Sequence, residues 1–287
     1  MSGQVVSPPT PFLEFRVDRV DLTPSLVGAC VGYEAKSWRG RALARHLMEW
    51  LPEFALSYSE CAGFDAGSAV RRVGEAAAAI YTSDKYQKRG EFGEVLLHAI
   101  VRQRYKSIPL ISKIYFKDSP NDTAKGFDSV HVVESPDGLE LWLGEAKFYS
   151  DIARAMTEAA KSLDEHFQTD FLKKEFIAIR RKIDPAQPLP AGATDFFEPN
   201  RSLDQIVKSI HVPVLLTYNS QAVHDHEEVG PEYVEAFEAE LLKHQESFAA
   251  LNLPKHSVVH LLLLPLHDKS SLVAEMDRLL KQVQDLI

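Results

Sequence analysis

The sequence predicts an α/β protein with a mixed central sheet flanked by helices on both sides, and three observations carry that prediction. Short runs of strand period alternate with longer runs of helical period along the chain. Val212 to Tyr218 and Ser257 to Leu264 are almost continuously apolar, as strands covered on both faces are. The helical segments each carry one apolar stripe, and a sheet with both faces available buries such stripes economically.

Leu13, Phe15 and Val17 alternate with Glu14, Arg16 and Asp18, the period of a half-buried strand. Arg39 to Phe54 sets Leu43, Leu47, Trp50 and Leu51 on one helical face, and a second helix is expected from about Gly67 to Tyr81, through the alanine run Ala76 to Ala79. These pieces make an N-terminal α/β region, residues 1–84, with no chemical signature; its lack of chemistry suggests a partner-binding role. Residues 85–287 form the second expected unit. There Phe92, Val95, Leu96, Ala99 and Ile100 recur with the spacing of an amphipathic helix that ends near Tyr105. Strands are expected over Ile108 to Phe116, Phe127 to Val133 and Leu139 to Phe148, the last two joined as a hairpin by Ser135-Pro136-Asp137-Gly138. A helix from about Asp151 to Phe167 follows immediately. Asp184 to Asn200, with four prolines and no periodicity, is expected to be irregular. A helix separates the two apolar strands, and a last helix presents Leu272, Met276, Leu279, Leu280 and Val283 to the sheet.

The chain has 287 residues, 45% hydrophobic and 25% charged, which excludes disorder and low-complexity classes and allows one large domain or two modest ones. The opening MSGQVVSPPT lacks a basic and apolar leader, and the leucine-rich run Val258 to Leu264 is far too short to span a bilayer. A soluble, cytoplasmic protein without membrane contact is expected, with Cys30 and Cys61 as reduced core thiols. The net charge of −9 argues against coating nucleic acid through overall charge. Local charge differs. Between Thr82 and Lys117, eight basic residues (Lys85, Lys88, Arg89, Arg102, Arg104, Lys106, Lys113 and Lys117) face three acidic ones, and Lys173, Lys174, Arg180, Arg181 and Lys182 form a second cluster. Either is a solvated helix face or a phosphate-binding surface.

The chemistry concentrates in Gly144-Glu145-Ala146-Lys147. Strand side chains alternate, so Glu145 and Lys147 share one face and Ala146 takes the other. Gly126-Phe127-Asp128 opens the neighbouring strand, and the turn at Pro136-Asp137 sets a register that brings Asp128 near Glu145. Two converging carboxylates repel unless a cation lies between them, and a hard divalent ion, magnesium or manganese, meets that need. Such an ion on Asp128 and Glu145 polarises a phosphate oxygen and acidifies a bound water, which Lys147 orients or deprotonates. Glu94, in Gly90-Glu91-Phe92-Gly93-Glu94 on the preceding helix, borders the buried side and is the third candidate metal-binding carboxylate; Glu91 is the weaker of the two.

An acidic helix, then GFD, then GEAK at a strand end resembles the PD-(D/E)xK nuclease core. By that resemblance Asp128 is the motif aspartate, Glu145 and Lys147 its Glu-x-Lys, and Glu94 its helix glutamate; Phe127 replaces the proline that often precedes the aspartate. More specifically, RGEFGEVLLH, KGFDSVHVVE, LWLGEAKFY and VVHLLLLPLHDKSSL are similar to the HamA family, nuclease subunits of Hachiman anti-phage defence systems, over roughly Lys88 to the C-terminus. The resemblance implies a divalent-metal-dependent deoxyribonuclease, restrained by a superfamily-two helicase, HamB, until the complex meets aberrant or invading DNA. The alternative is an adaptor with a nuclease fold that no longer cuts, binds nucleic acid and anchors a helicase. His224-Asp225-His226-Glu227 lacks the helical spacing of a zinc motif and is set aside. His98 and His166 are taken as structural.

Overall fold

A computed structural model of the chain describes residues 7–62, 65–80, 90–112, 126–198, 200–255 and 257–286. The order begins β1 (Glu14–Arg19), β2 (Ser25–Cys30), the two-residue strands β3 (Tyr33–Glu34) and β4 (Ser37–Trp38), then α1 (Gly40–Ala55), α2 (Tyr58–Cys61) and α3 (Ala69–Ile80). It continues through α4 (Glu91–Tyr105), β5 (Ile108–Ser112), β6 (Ser129–Ser135), β7 (Gly138–Phe148), α5 (Ile152–His166), α6 (Thr169–Lys182) and α7 (Leu203–Ile206). Last come β8 (Ile210–Asn219), α8 (Gln221–His224), α9 (Pro231–Ala249), β9 (Val258–Leu266) and α10 (Lys269–Gln284).

Seven strands form one sheet in the order β1-β2-β9-β8-β7-β6-β5. The central four, β2, β9, β8 and β7, run parallel, and an antiparallel extension closes each end. The expected mixed sheet flanked by helices is therefore present. The expected hairpin is present too: Ser129 pairs with Gly144 and Ser135 with Gly138. The region before residue 85 contributes β1 and β2 to this same sheet, with Leu26 of β2 beside Leu261 of β9.

Strand alternation divides the core in two. Trp142, Phe148, Leu215, Leu262 and Leu264 meet α1, α3, α4 and α10 on one face. Leu141, Leu143, Val214, Leu216, Leu261 and Leu263 meet α5, α6 and α9 on the other. Fully covered central strands explain the unbroken apolar runs of β8 and β9. Helix α4 lies close to β7 because two glycines permit it. A Cβ on Gly93 would stand 2.8 Å from Phe148 Cβ, and one on Gly144 would stand 2.8 Å from Leu97 Cδ2.

Helix α6 and strand β2, like the short elements β3, β4, α2, α7 and α8, are not among the elements expected from the sequence. Helix α6 occupies the second basic cluster: Leu172, Phe176 and Ile179 face the core, while Lys173, Lys174, Arg180, Arg181 and Lys182 are exposed. Strand β2, short and built partly of glycine and alanine, lies inside the sheet. The strand expected to reach Phe116 is described as far as Ser112; its remainder lies outside the described residues, as do Lys85, Lys88, Arg89, Lys113 and Lys117 of the first basic cluster. Among its described residues, Asp184 to Asn200 is irregular, as expected, apart from a 3-10 turn at Asp195–Phe197. Asp184 fastens this segment to the start of α2 by accepting from Ser59 N and Ser59 Oγ at 2.7 and 2.9 Å. Cys30 and Cys61 are buried free thiols. Among the described residues no helix is long and apolar enough to cross a membrane.

Candidate active site

The carboxyl end of β7 lies in the parallel part of the sheet, against β8, where open α/β sheets place ligands. Glu145 and Lys147 project there from one face, as the period of two requires, and Lys147 Nζ donates to Glu145 Oε1 at 2.7 Å. Asp128 immediately precedes β6. Its backbone N–H donates to Gly144 O at 2.9 Å, and its Oδ2 accepts from Ala146 N at 2.7 Å. The aspartate therefore takes over a ladder hydrogen bond between the two residues of the Glu-x-Lys pair. The regular pairing of β6 with β7 ends at Ser129 and Gly144, and Asp128, just beyond it, is held to β7 by these two bonds, to the residues on either side of Glu145. Both carboxylates are buried, Asp128 at 4% and Glu145 at 2% exposure.

Helices α5 and α6 supply supports that the sequence analysis missed or set aside. Ser162 Oγ accepts from Lys147 Nζ at 2.8 Å, and His166 Nδ1 lies 3.3 Å from Glu145 Oε2. Burial alone would raise the Glu145 carboxyl; His166 and Lys147 outweigh it and hold the group at about 2. On α6, Glu175 Oε1 accepts from Phe127 N at 3.2 Å, fixing the backbone just before Asp128. The chain passes Glu175 at Gly126, whose φ is +147° and whose Cβ, if present, would lie 2.4 Å from Glu175 Oε1. Only glycine fits such a conformation against such a neighbour.

Glu94 is buried in the first turn of α4. That helix covers the Ala146 and Phe148 face of β7, while Glu145 and Lys147 occupy the other. Three of the four predicted residues therefore adjoin directly, and Glu94 comes from across the sheet at the same end. His98, on the next turn of α4, is buried and bonds Glu53 at 3.1 Å. Tyr149 carries Arg154 over its ring and Phe148 is core.

Among the described residues no group of three or more His, Cys, Asp or Glu is arranged to hold a metal ion. Magnesium takes one or two carboxylates and completes its shell with water and substrate oxygens. Asp128 and Glu145 would supply two such carboxylates, each with one oxygen already bonded, to Ala146 N and to Lys147 Nζ. His224, Asp225, His226 and Glu227 lie around the end of α8, where His226 Nδ1 is bonded to Ala222 O, and form no such group either.

The family model for HamA matches residues 10–280. The chain belongs to the HamA family. Membership extends well before Lys88, so the N-terminal strands and α1 are part of the HamA unit as well. The chain is also similar to anti-bacteriophage protein A of Escherichia coli (strain K12), 28% identical over 122 residues. That match covers 42% of this HamA chain and 22% of the relative's length, so the chain spans well under two thirds of the relative.

Proposed function

We propose that this HamA protein is a divalent-metal-dependent deoxyribonuclease with a PD-(D/E)xK core, the effector of an anti-phage defence complex whose partner is a superfamily-two helicase. The observation that carries the proposal is the adjoining of Asp128, Glu145 and Lys147 at the carboxyl end of β7, with Asp128 bonded to the backbone N–H between the other two. Family membership and the anti-bacteriophage name of the relative supply the defence context.

In this proposal Asp128 and Glu145 hold magnesium or manganese; Glu94, expected from the sequence as a third ligand, lies on the helix that covers the opposite face of β7 and is not one of the ligands. Bound there, the ion supplies Lewis-acid stabilisation of a scissile phosphate and acidifies water. The chain's own residues do the rest. Asp128 keeps its orientation through Ala146 N and through the Glu175 clamp on Phe127. Glu145 stays ionised because Lys147 and His166 oppose the effect of burial. Lys147, steadied by Ser162, offers a cation that orients the attacking water and offsets charge developing on the phosphate oxygens.

The test is cleavage of plasmid DNA in magnesium or manganese, alone and with the helicase of the same defence system. The parent protein is expected to cut, and Glu145→Ala and Lys147→Ala proteins are not. Equal cutting by parent and variants overturns the proposal. An intact, folded complex that binds DNA and never cuts it establishes the adaptor instead.

A further inference from the structure

We infer that His166 is a positioning residue of the candidate active site, holding the inner oxygen of Glu145 through Nδ1 and so fixing the carboxylate that is to bind metal. The inference rests on the nuclease proposal and adds to it a residue that touches neither metal nor DNA.

The first support is a match of spacings. Ser162 and His166 are four residues apart on α5, about 6 Å along a helix axis, and Lys147 and Glu145 are two apart on β7, about 6.6 Å along a strand. Helix and strand are packed together, and the two pairs meet in order: Ser162 Oγ at 2.8 Å from Lys147 Nζ, and His166 Nδ1 at 3.3 Å from Glu145 Oε2. A helix that follows its strand almost immediately thus presents one polar group to each member of the Glu-x-Lys pair.

The second support is a shared deficit. Glu145 Oε2 and His166 Nδ1 are both buried, and neither completes a hydrogen bond, although they face each other. A buried ionised oxygen without a donor is costly, and native folds rarely leave one. At 3.3 Å the two atoms lie within reach of such a bond.

The third support is the confinement of the ring. His166 stacks on Phe171, with centroids 4.7 Å apart and planes 18° apart, and meets Phe127 edge-on at 5.1 Å. Phe127 immediately precedes Asp128, so one aromatic contact joins the neighbour of the aspartate to the support of the glutamate. With Nδ1 donating to Oε2, Glu145 keeps one fixed rotamer, and Oε1 remains the oxygen it shares with Lys147.

The experiment compares manganese binding by the full chain, read as free Mn2+ by electron paramagnetic resonance, with plasmid cleavage in Mn2+ alongside the helicase. His166→Phe keeps the ring contacts and removes the nitrogen; His166→Asn places an amide N–H near the position of Nδ1. Outer-shell partners of metal ligands typically change affinity by about 10–100-fold. His166→Phe is therefore expected to raise the Mn2+ half-saturation at least about tenfold, with cleavage largely recovered at saturating Mn2+, and His166→Asn to stay within about threefold of the parent. Should His166→Phe not fold, His166→Gln replaces it, since its longer amide misses the position of Nδ1; equal behaviour of the Asn and Gln proteins overturns the inference. Parent-like binding and cutting by His166→Phe, while Glu145→Ala loses both, overturns the positioning role and leaves the nuclease standing. A parent that neither binds Mn2+ nor cuts overturns both.

Discussion

Asp128 accepts the backbone N–H of Ala146 at 2.7 Å, so a residue outside β6 completes the hydrogen bonding of β7 between the two members of the Glu-x-Lys pair. One side chain thereby serves the sheet and the proposed chemistry together, and substitutions separate the two roles.

Asp128→Asn retains an oxygen able to accept from Ala146 N and loses the charge. Its thermal midpoint is expected to stay close to that of the parent while DNA cleavage disappears. Asp128→Ala loses the acceptor as well, leaving the half-buried Ala146 N–H without it, at a cost of about 1 kcal/mol. Thermal denaturation of the two proteins beside a plasmid assay checks the separation; equal melting of both variants contradicts it.

Gly126→Ala forces a side chain into a left-handed conformation and against Glu175 Oε1. Overpacking of this kind costs about 1–3 kcal/mol. Because Glu175 holds Phe127 N, the displacement passes directly to Asp128, and cleavage is expected to fall more than stability does. Urea unfolding together with cleavage rates measures both.

Ser162→Ala removes one partner of Lys147 without touching Glu145. Cleavage is expected to fall, whereas Mn2+ half-saturation stays at the parent value, the reverse of the emphasis expected for His166. A matched titration of the two variants distinguishes an effect on the lysine from an effect on the metal ligand.

On the α4 side of the sheet, Glu53 joins α1 to α4 through Arg102, at 2.7 and 3.0 Å, and His98. Burial raises its carboxyl, but His98 and Arg102 outweigh this and bring it down to about 2 from an ordinary value of 4.5. A carboxyl depressed on folding contributes its full stability above the unfolded value, here above about pH 4.5, and loses it as pH falls toward 2. Between pH 6 and pH 3 the loss from this group amounts to about 2 kcal/mol. Glu53→Gln protein should therefore show a correspondingly flatter dependence of unfolding free energy on pH across that interval, measured by urea denaturation.

Local periodicity made much of the architecture legible. The stripes of α1, α4, α5 and α10 and the apolar runs of β8 and β9 sit within a few residues of their expected places, because each buries a face whose pattern the local sequence must carry. Strand β2 escaped because Ser25, Gly28 and Ala29 dilute its pattern; its place comes from pairing with a strand more than 230 residues away. Helix α6 escaped because its basic residues dominate the composition, although Leu172, Phe176 and Ile179 keep the helical spacing. At the site, Glu145 and Lys147 share a face by strand period alone, and Asp128 followed from the hairpin turn. His166 and Glu175 did not follow, since their partners lie 21 and 48 residues away and only the packing of α5 and α6 over the sheet brings them in. Ser162 and His166 at i and i+4 beside the apolar stripe of α5 were the available signal.

Strand β9 lies between β2 and β8, so residues 258–266 are the keystone between the two halves of the sheet. During synthesis β2 has no parallel neighbour until residues 258–266 have been made, more than 230 residues later. A chain interrupted before residue 258 would carry β7 and its acidic and basic side chains yet lack the partner that unites the halves. Within the sheet, the half that carries the candidate site is thus joined to the half begun by the first strands through β9 alone.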